Sequence, residues 1–597
     1  MPRHAKDDKK DQSFTLRFGG GVNTRKVSED IDPTEAVVLT NAYIDIDRRS
    51  LMCRPPIKNL IGTPNGVCKG FAQLVATQDD GLKRVSTIVQ IHDTLYKYAQ
   101  TPGSNTFSWQ AAYTVSPNSR LRGEVHNNYE LDRKVIITDL ELETPVLTWD
   151  GDTVEPLQHN LRGPSNQPVD FYAKYCVIED ERAWFGNVRT DISGGADTRV
   201  PHMVVASARS DIESLSVASQ PSSALGAADP FYVLSPDLKP IEALVSAYSS
   251  FIIATSNGRI YRLNGSSSKD FFIEAFFSGA SVTKENQMAL AGNDVLFINS
   301  QGKVDSLAGV EAFGDVEVDN ISRPLEKSVS RSFQARSCQY NVTDSILYVN
   351  PNNFARNDYA GLWAFFKSMH DQQAKDVSLL RQGTPLSPWV FWTVDGTFTN
   401  GAFHNPFDTS DLWQMYPIRN TDEGFQPPEF LPSKVLALGG TNGVIKYIPN
   451  RERAEAELTF QGTNSDVTDD GFVPVRMNYV SKTMKSPSVK GFENMTGVLH
   501  FSANTRGHLN IGPLETRFAT CDLKIVTKGT RHSSHEISLV LEQKDIDNES
   551  SGFSLSQSSL GFSLACLQDA IYFHIELDIN TNGHFVEILG IDFNVES

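Results

Sequence analysis

The chain has 597 residues, too many for one compact core, so two to four domains are expected. Hydrophobic residues make up 40% and charged residues 21%, the composition of a folded chain, and no run approaches the roughly 18 apolar residues of a membrane-spanning helix. A formal net charge of −18 argues against sequence-specific or tight DNA binding through a basic face, but it leaves room for a wall past which DNA slides.

The chain begins with "MPRHAKDDKKDQS", residues 1–13, which carries charges where a signal peptide needs an apolar run. It reads as a solvated arm. A platform segment follows over residues 14–64 and opens with "FTLRFGGGVNT". Its glycines lack the GxxxxGK[ST] spacing that cradles phosphates, and they are not followed by the helix of a dinucleotide fold. Gly20 and Gly21 therefore read as a backbone device, permitting a sharp bend or a close approach. In "IDIDRR", Asp45 and Asp47 share one strand face by period two, which is also how a solvated face looks.

Residues 65–450 are dominated by short strands joined by tight turns. The clearest pair is "LVSAYSSFIIATSNGRIYRL" (244–263) and "MALAGNDVLFINSQGKVDSL" (288–307). Gly258 and Gly302 each supply the positive φ of a two-residue hairpin turn, and they lie 302 − 258 = 44 residues apart. That spacing is the period of a four-stranded propeller blade. Weaker versions occur at 84–99, 133–157, 172–188, 337–351, 388–403 and 434–449, which predicts a β-propeller of about five to seven blades. Ordinary hairpins in sandwiches give the same local signals, but the recurring spacing favours the propeller. Helical periodicity is scarce, with residues 363–383 the best stretch and its first half also readable as a strand. Two long segments, 210–237 and 404–433, interrupt the pattern. The second carries Trp413, Tyr416 and Phe430, and large apolar residues in a long loop suggest a docking surface.

Beyond a charged connector, "RERAEAE", residues 451–597 alternate apolar and polar side chains. "IYFHIELDI" places Ile571, Phe573, Ile575, Leu577 and Ile579 on one face. A C-terminal β-sandwich of about six strands is expected. It holds 12 Lys or Arg against 20 Asp or Glu, a net charge of 12 − 20 = −8. The six cysteines form no CxxC pair and read as buried thiols of a reducing cytoplasm. His532 and His535 form the one close histidine pair, in what reads as a polar turn rather than a metal site. No GxSxG motif is present. The residues point to no catalytic group, cofactor or metal.

The opening segment resembles the tail nozzle or tail hub proteins of short-tailed bacteriophages, also called tail tubular protein B or packaged-DNA stabilisation proteins. The resemblance rests on Gly20, Gly21, Val22 and Asn23, then Leu39, Asn41 and Ala42, then Arg54 and Pro55. The closing "YVSKTMKSPSVKGFENMTGVLHF" and "FVEILGIDFNVE" look like the end domain of such proteins. Between the strand and the Arg-Pro pair this chain has "RRSLMC", where many members have glycine and a polar residue, so the turn geometry there is its own. The resemblance implies an all-β architecture: an N-terminal arm and platform at the base of a β-propeller, then a C-terminal β-sandwich. It also implies a non-enzymatic virion protein, made in the host cytoplasm, that assembles as a homo-hexamer in the tail. Its implied partners are the portal and adaptor rings above, tail fibres or tailspikes outside, and double-stranded DNA passing through the lumen without sequence-specific binding. The competing readings are a propeller-type glycan-degrading enzyme and a monomeric glycan- or protein-binding module.

Overall fold

The computed structural model describes most of residues 12–596. Outside the described residues lie 1–11, 101–106, 127–133, 192–197, 219–227, 308–319, 326–336, 351–360, 367–387, 394–408, 417–433, 449–464, 505–518 and 542–556, together with shorter stretches between strands. The protein is all-β, a propeller joined to a sandwich.

Six short strands come first: β1 (Gln12–Leu16), β2 (Gly21–Val22), β3 (Glu35–Thr40), β4 (Ala42–Asp45), β5 (Ser50–Cys53) and β6 (Lys58–Asn59). Antiparallel meanders follow. Blade 1 is β7 (Cys68–Thr77), β8 (Lys83–Ile91), β9 (Thr94–Gln100) and β10 (Phe107–Thr114). Blade 2 is β11 (Leu121–His126), β12 (Lys134–Asp139), β13 (Leu147–Trp149) and β14 (Val154–Pro156). Blade 3 is β15 (Phe171–Glu179), β16 (Arg182–Thr190), β17 (Thr198–Ala206) and β18 (Phe231–Leu234). Blade 4 is β19 (Ile241–Ala247), β20 (Ser250–Thr255), β21 (Arg259–Asn264) and β22 (Phe272–Ser278). Blade 5 shows β23 (Met288–Ala291), β24 (Asp294–Ile298) and β25 (Val304–Ser306). Blade 6 is β26 (Ser337–Asn341), β27 (Ile346–Asn350), β28 (Gly361–Phe366) and β29 (Trp389–Thr393). Blade 7 is β30 (Thr409–Met415), β31 (Val435–Gly440) and β32 (Ile445–Ile448), completed by β6.

The inner strands β7, β11, β15, β19, β23, β26 and β30 each touch the next, and β30 touches β7 again. Seven blades therefore close a ring among the described residues. Separate apolar clusters fill the seams. Ile136 and Phe171 join blades 2 and 3. Trp184 and Ile241 join blades 3 and 4, and Ile252 and Phe297 join blades 4 and 5. The matched hairpins of blades 4 and 5 carry Gly258 at φ +82 and Gly302 at φ +79. Both loops have three residues, not two: 256–258 lie between β20 and β21, and 300–302 lie inside the bond from the Asn299 amide to the Lys303 carbonyl. The glycine sits where such a loop needs a left-handed residue to restore the strand register.

After a small hairpin of β33 (Ser465–Thr468) and β34 (Gly471–Pro474) come β35 (Arg476–Ser481), β36 (Met484–Lys485), β37 (Gly491–Asn504), β38 (Ala519–Gly529), β39 (Ser533–Leu541), β40 (Gln557–Gln568), β41 (Ala570–Asn580) and β42 (Phe585–Glu596). One sandwich sheet runs β4-β5-β42-β37-β40, with β1 also paired to β42. The other runs β3-β35-β41-β38-β39 and continues through β3 into β29 of blade 6. The chain's two ends thus build one sandwich. The N-terminal segment is not the separate platform expected across the propeller base: β1, β3, β4 and β5 are sandwich strands, and β6 alone of these six is a propeller strand. Its strands are too short to bury a face alone, so they complete sheets begun elsewhere. One apolar core runs from Leu296 of blade 5 through Tyr348 and Trp392 of blade 6 to Leu39, Met477, Leu499, Ile575 and Ile588. Among the described residues no helix is long and apolar enough to cross a membrane.

Candidate functional site

The residues that carried the resemblance converge on the junction of blade 6 with the sandwich. Asn41 sits between β3 and β4 with φ 54, a left-handed conformation that asparagine tolerates. The kink frees its side chain to work in three directions. Its Nδ2 donates to the Arg476 carbonyl at the start of β35 (2.8 Å). Its Oδ1 accepts from the Thr393 amide at the end of blade 6 (2.8 Å) and from Arg54 Nε (2.9 Å). Arg54 is fully buried. Its other nitrogens donate to the carbonyls of Pro55 (3.0 Å) and Thr393 (3.1 Å). A guanidinium out of water needs every such partner. Next to it, burial pushes the Cys53 thiol up to about 12, although Arg54 pulls the other way. Trp392 adds an indole donor to the Ala42 carbonyl (2.7 Å).

Gly20, Gly21, Val22 and Asn23 form the second half of the junction. Gly21, at φ +67, lies so close to Pro388 and the Trp389 amide of blade 6 that a Cβ would clash with both. The glycine is thus a close-approach residue, as expected for a backbone device. Val22 is buried in the shared core. Asn23 Nδ2 donates to both Glu35 oxygens (3.0 Å each), and its Oδ1 caps the turn by accepting from the Arg25 amide (3.1 Å). Glu35 also accepts from the Asp32 amide (2.8 Å).

The proposed docking residues divide. Trp413 is no docking residue: it lies on β30, 7% exposed, with its ring stacked on Phe71 of blade 1 at 5.8 Å. It fills the seam that closes the ring, beside Met415 and Val435. Tyr416 follows the strand. Its amide donates to Gln73 Oε1 (2.6 Å), Gln73 Nε2 donates to its carbonyl (2.9 Å), and the Lys434 ammonium lies 5.1 Å from its ring centre. Asp411 of the same strand meets Arg120 of blade 2 at 3.5 Å. Residues 409–415 are a ring-closing strand, not a loop. Phe430 lies outside the described residues.

A polar row crosses the outer face of the first sandwich sheet. Asp592 of β42 accepts from Thr15 of β1 (2.8 Å) and meets Arg17 at 3.4 Å. His500 of β37 bridges Asp592 (3.0 Å) and Ser559 of β40 (3.0 Å). Burial alone would raise the Asp592 carboxyl; the Thr15 hydroxyl, Arg17 and His500 outweigh it and hold it below the ordinary Asp value. Ser559 is exposed on an open sheet, so the row ties strands together rather than lining a cleft.

Five cysteines, Cys53, Cys68, Cys176, Cys338 and Cys521, are buried free thiols. Burial pushes Cys68 and Cys338 up to about 12, far from a reactive thiolate. Among the described residues no group of three His, Cys, Asp or Glu could hold a metal ion. His535 lies on β39, while His532 and Asp47 fall outside the described residues. The space between blades 1 and 2 is lined by Phe71, Ile88, Leu95, Leu121, Arg122 and Ile137, an apolar wall with one cation.

No protein-family model matches the chain, and no curated protein matches it. Among solved structures it is similar to the computationally designed Ika8 protein, at 10% identity and a TM-score of 0.30 over 66% of this chain and 100% of that one. It is similar to Sqt1 of Saccharomyces cerevisiae at 9% and 0.30, over 63% and 84%. It is also similar to the Pan2 WD40 domain of Neurospora crassa at 10% and 0.29, over 66% and 98%. At these values the likenesses carry no argument, and the propeller stands on its own strand pairing.

Several junction residues had no signal in the sequence. Thr393 and Arg476 meet Asn41 and Arg54, and Trp392 meets Ala42, only because blade 6 and the sandwich share a sheet. His500, Ser559 and Asp592 are 59 and 92 positions apart, and only strand order aligns them.

Proposed function

We propose that the chain is a structural protein of a bacteriophage tail, a nozzle or hub whose copies form a ring. The ring, a homo-hexamer, continues the DNA channel below the portal and adaptor, retains the packaged genome, carries it outward at ejection and anchors fibres or tailspikes. The observation that carries this reading is the place of the resemblance residues. Gly20, Gly21, Val22, Asn23, Asn41, Arg54 and Pro55 are all buried in or beside one junction that locks blade 6, the N-terminal strands and the sandwich together. Their role is mechanical, which is what a load-carrying tail component needs, and the reading gives the chain no catalytic step.

Charge supports the same reading. Six copies carry 6 × −18 = −108 formal charges. A phosphate polymer passes an acidic wall without sticking to it.

Electron microscopy and sedimentation of the purified protein test the proposal, together with its presence in purified tails. A ring of six copies located in the tail is the expected result. A monomer that releases sugar from glycans, or binds them without assembling, would replace this reading with an enzyme or a binding module.

A further inference from the structure

The first sandwich sheet has two uncovered ends. At one end, β40 reads QSSLGFSLACLQ, 12 residues with no charge and no proline, in regular register with β37. At the other, β1 reads QSFTL, exposed at Gln12, Ser13 and Thr15, and pairs on one side with β42. Among the described residues no strand covers the outer edge of either. A long neutral edge is a template for pairing, and sheets ordinarily blunt such edges with charge, proline, bulges or short length. Other outer strands of this chain carry those devices. β39 has His535 and Glu536. β14 has 3 residues, ending Glu155-Pro156. β22 has Glu274, β18 has 4 residues, and β10 is bulged between Ala111 and Tyr113.

We infer that these two ends meet between copies of the chain: β40 of one copy pairs with β1 of the next. The strand directions fit. Each step from β1 to β42 to β37 to β40 is antiparallel, so β40 runs opposite to β1. A neighbouring copy therefore brings its β1 alongside β40 as an antiparallel partner, and the sheet runs on from subunit to subunit. The occupant is a second copy because the chain itself presents the complementary edge, neutral and of opposite direction. Joining two different surfaces makes a head-to-tail contact, which builds a closed ring when the rotation per step divides a full turn. Pairing of β40 with β40 would stop at a dimer. The inference rests on the ring reading above and names the surface that makes the ring.

Disulfide trapping tests it. Within one copy β1 and β40 are three strand spacings apart, about 14 Å, beyond the roughly 7 Å between Cα atoms that a disulfide spans. A bond between them must therefore join two copies. In a Cys566→Ser background, Ser13→Cys is combined in turn with Ser559→Cys, Gly561→Cys and Ser563→Cys. All three are exposed positions two residues apart, so they sample the register. A Cβ at Gly561 meets nothing nearer than the Gly497 carbonyl at 3.9 Å. Mild oxidation is expected to give a reducible ladder beyond the dimer in at least one double variant and in no single variant. Rings by sedimentation without a ladder in any pair would overturn the edge pairing and leave the ring reading standing. Monomers throughout would overturn both. Dimers alone, trapped by a single β40 cysteine, would assign the edge to self-pairing and overturn the inference.

Discussion

The segment from Gln12 to Asn59 closes two structures in different ways. In the propeller it adds β6, with two register pairs, Lys446 to Asn59 and Tyr447 to Lys58. In the sandwich it adds four strands, with five register pairs between β1 and β42 and four between β3 and β35. The propeller ring is therefore held mainly by side chains across the seam of blades 7 and 1: Trp413 on Phe71, and Gln73 on the Tyr416 backbone. The sandwich is held by backbone pairing between the chain's two ends. The same stretch of sequence acts as a latch in one unit and as structural material in the other.

Breaking the junction between them should have the largest effect. Arg54→Met removes the guanidinium and leaves the Pro55 and Thr393 carbonyls without that donor in a dry site. Each unmade buried hydrogen bond costs about 1–3 kcal/mol, so a loss of about 3–5 kcal/mol is expected in urea unfolding. Arg54→Lys should recover little, because a point ammonium cannot serve three acceptors set around a planar fork. An Arg54→Met protein as stable as the parent would show that the junction joins the two units without stabilising either.

Next comes the propeller seam. Trp413→Ala should cost about 3–4 kcal/mol, since a buried indole leaves a cavity against Phe71 and Met415. Phe14→Ala, its counterpart in the sandwich, should cost about 2 kcal/mol, because its ring is only partly buried while stacking on Phe593 at 5.2 Å and edge-on to Phe573 at 5.9 Å. Limited proteolysis separates the two. The first variant should open between blades 7 and 1, and the second should release the N-terminal strand.

The blades were legible in the sequence and the junction was not, for a physical reason. Hairpin turns are local: Gly258 and Gly302 announce their positive φ within a few residues, so the blade repeat can be read directly. Gly258→Ala and Gly302→Ala test that equivalence, and each should cost about 1 kcal/mol by forcing an alanine into a left-handed turn. Unequal losses would show that the two hairpins share a pattern but not a strain. By contrast, the pairing of β1 with β42 joins residues at opposite ends of the chain, and no local rule announces it. Trp413 misled for a related reason. As the innermost strand of a blade, β30 buries Asp411, Leu412, Trp413 and Met415 with little alternation, and so reads as an apolar loop rather than a strand.

The smallest effect sharpens the comparison most, because it isolates the strand-pairing side of it. Asp592 is held below the ordinary carboxylate range by Thr15, Arg17 and His500, against a burial effect of opposite sign. A carboxyl depressed in the folded state contributes stability that is present above its unfolded value, about 3.9, and is lost as pH falls through the folded value. The pair is substantially exposed, with Arg17 at 39% and Asp592 at 44% of side-chain surface, so the contribution should stay below about 1 kcal/mol. Asp592→Asn should therefore melt lower than the parent at pH 6, and the gap should close as pH falls below about 4. Thr15→Val removes one of the same hydrogen bonds from the other strand and should narrow the gap in the same window. Both variants should show faster amide exchange in β1 at pH 6 and little change in β6, which Asp592 does not touch. A gap that persists unchanged at pH 3 would mean that Asp592 acts through packing, and that the N-terminal strand is held by its backbone pairing and ring stacking without help from that charge.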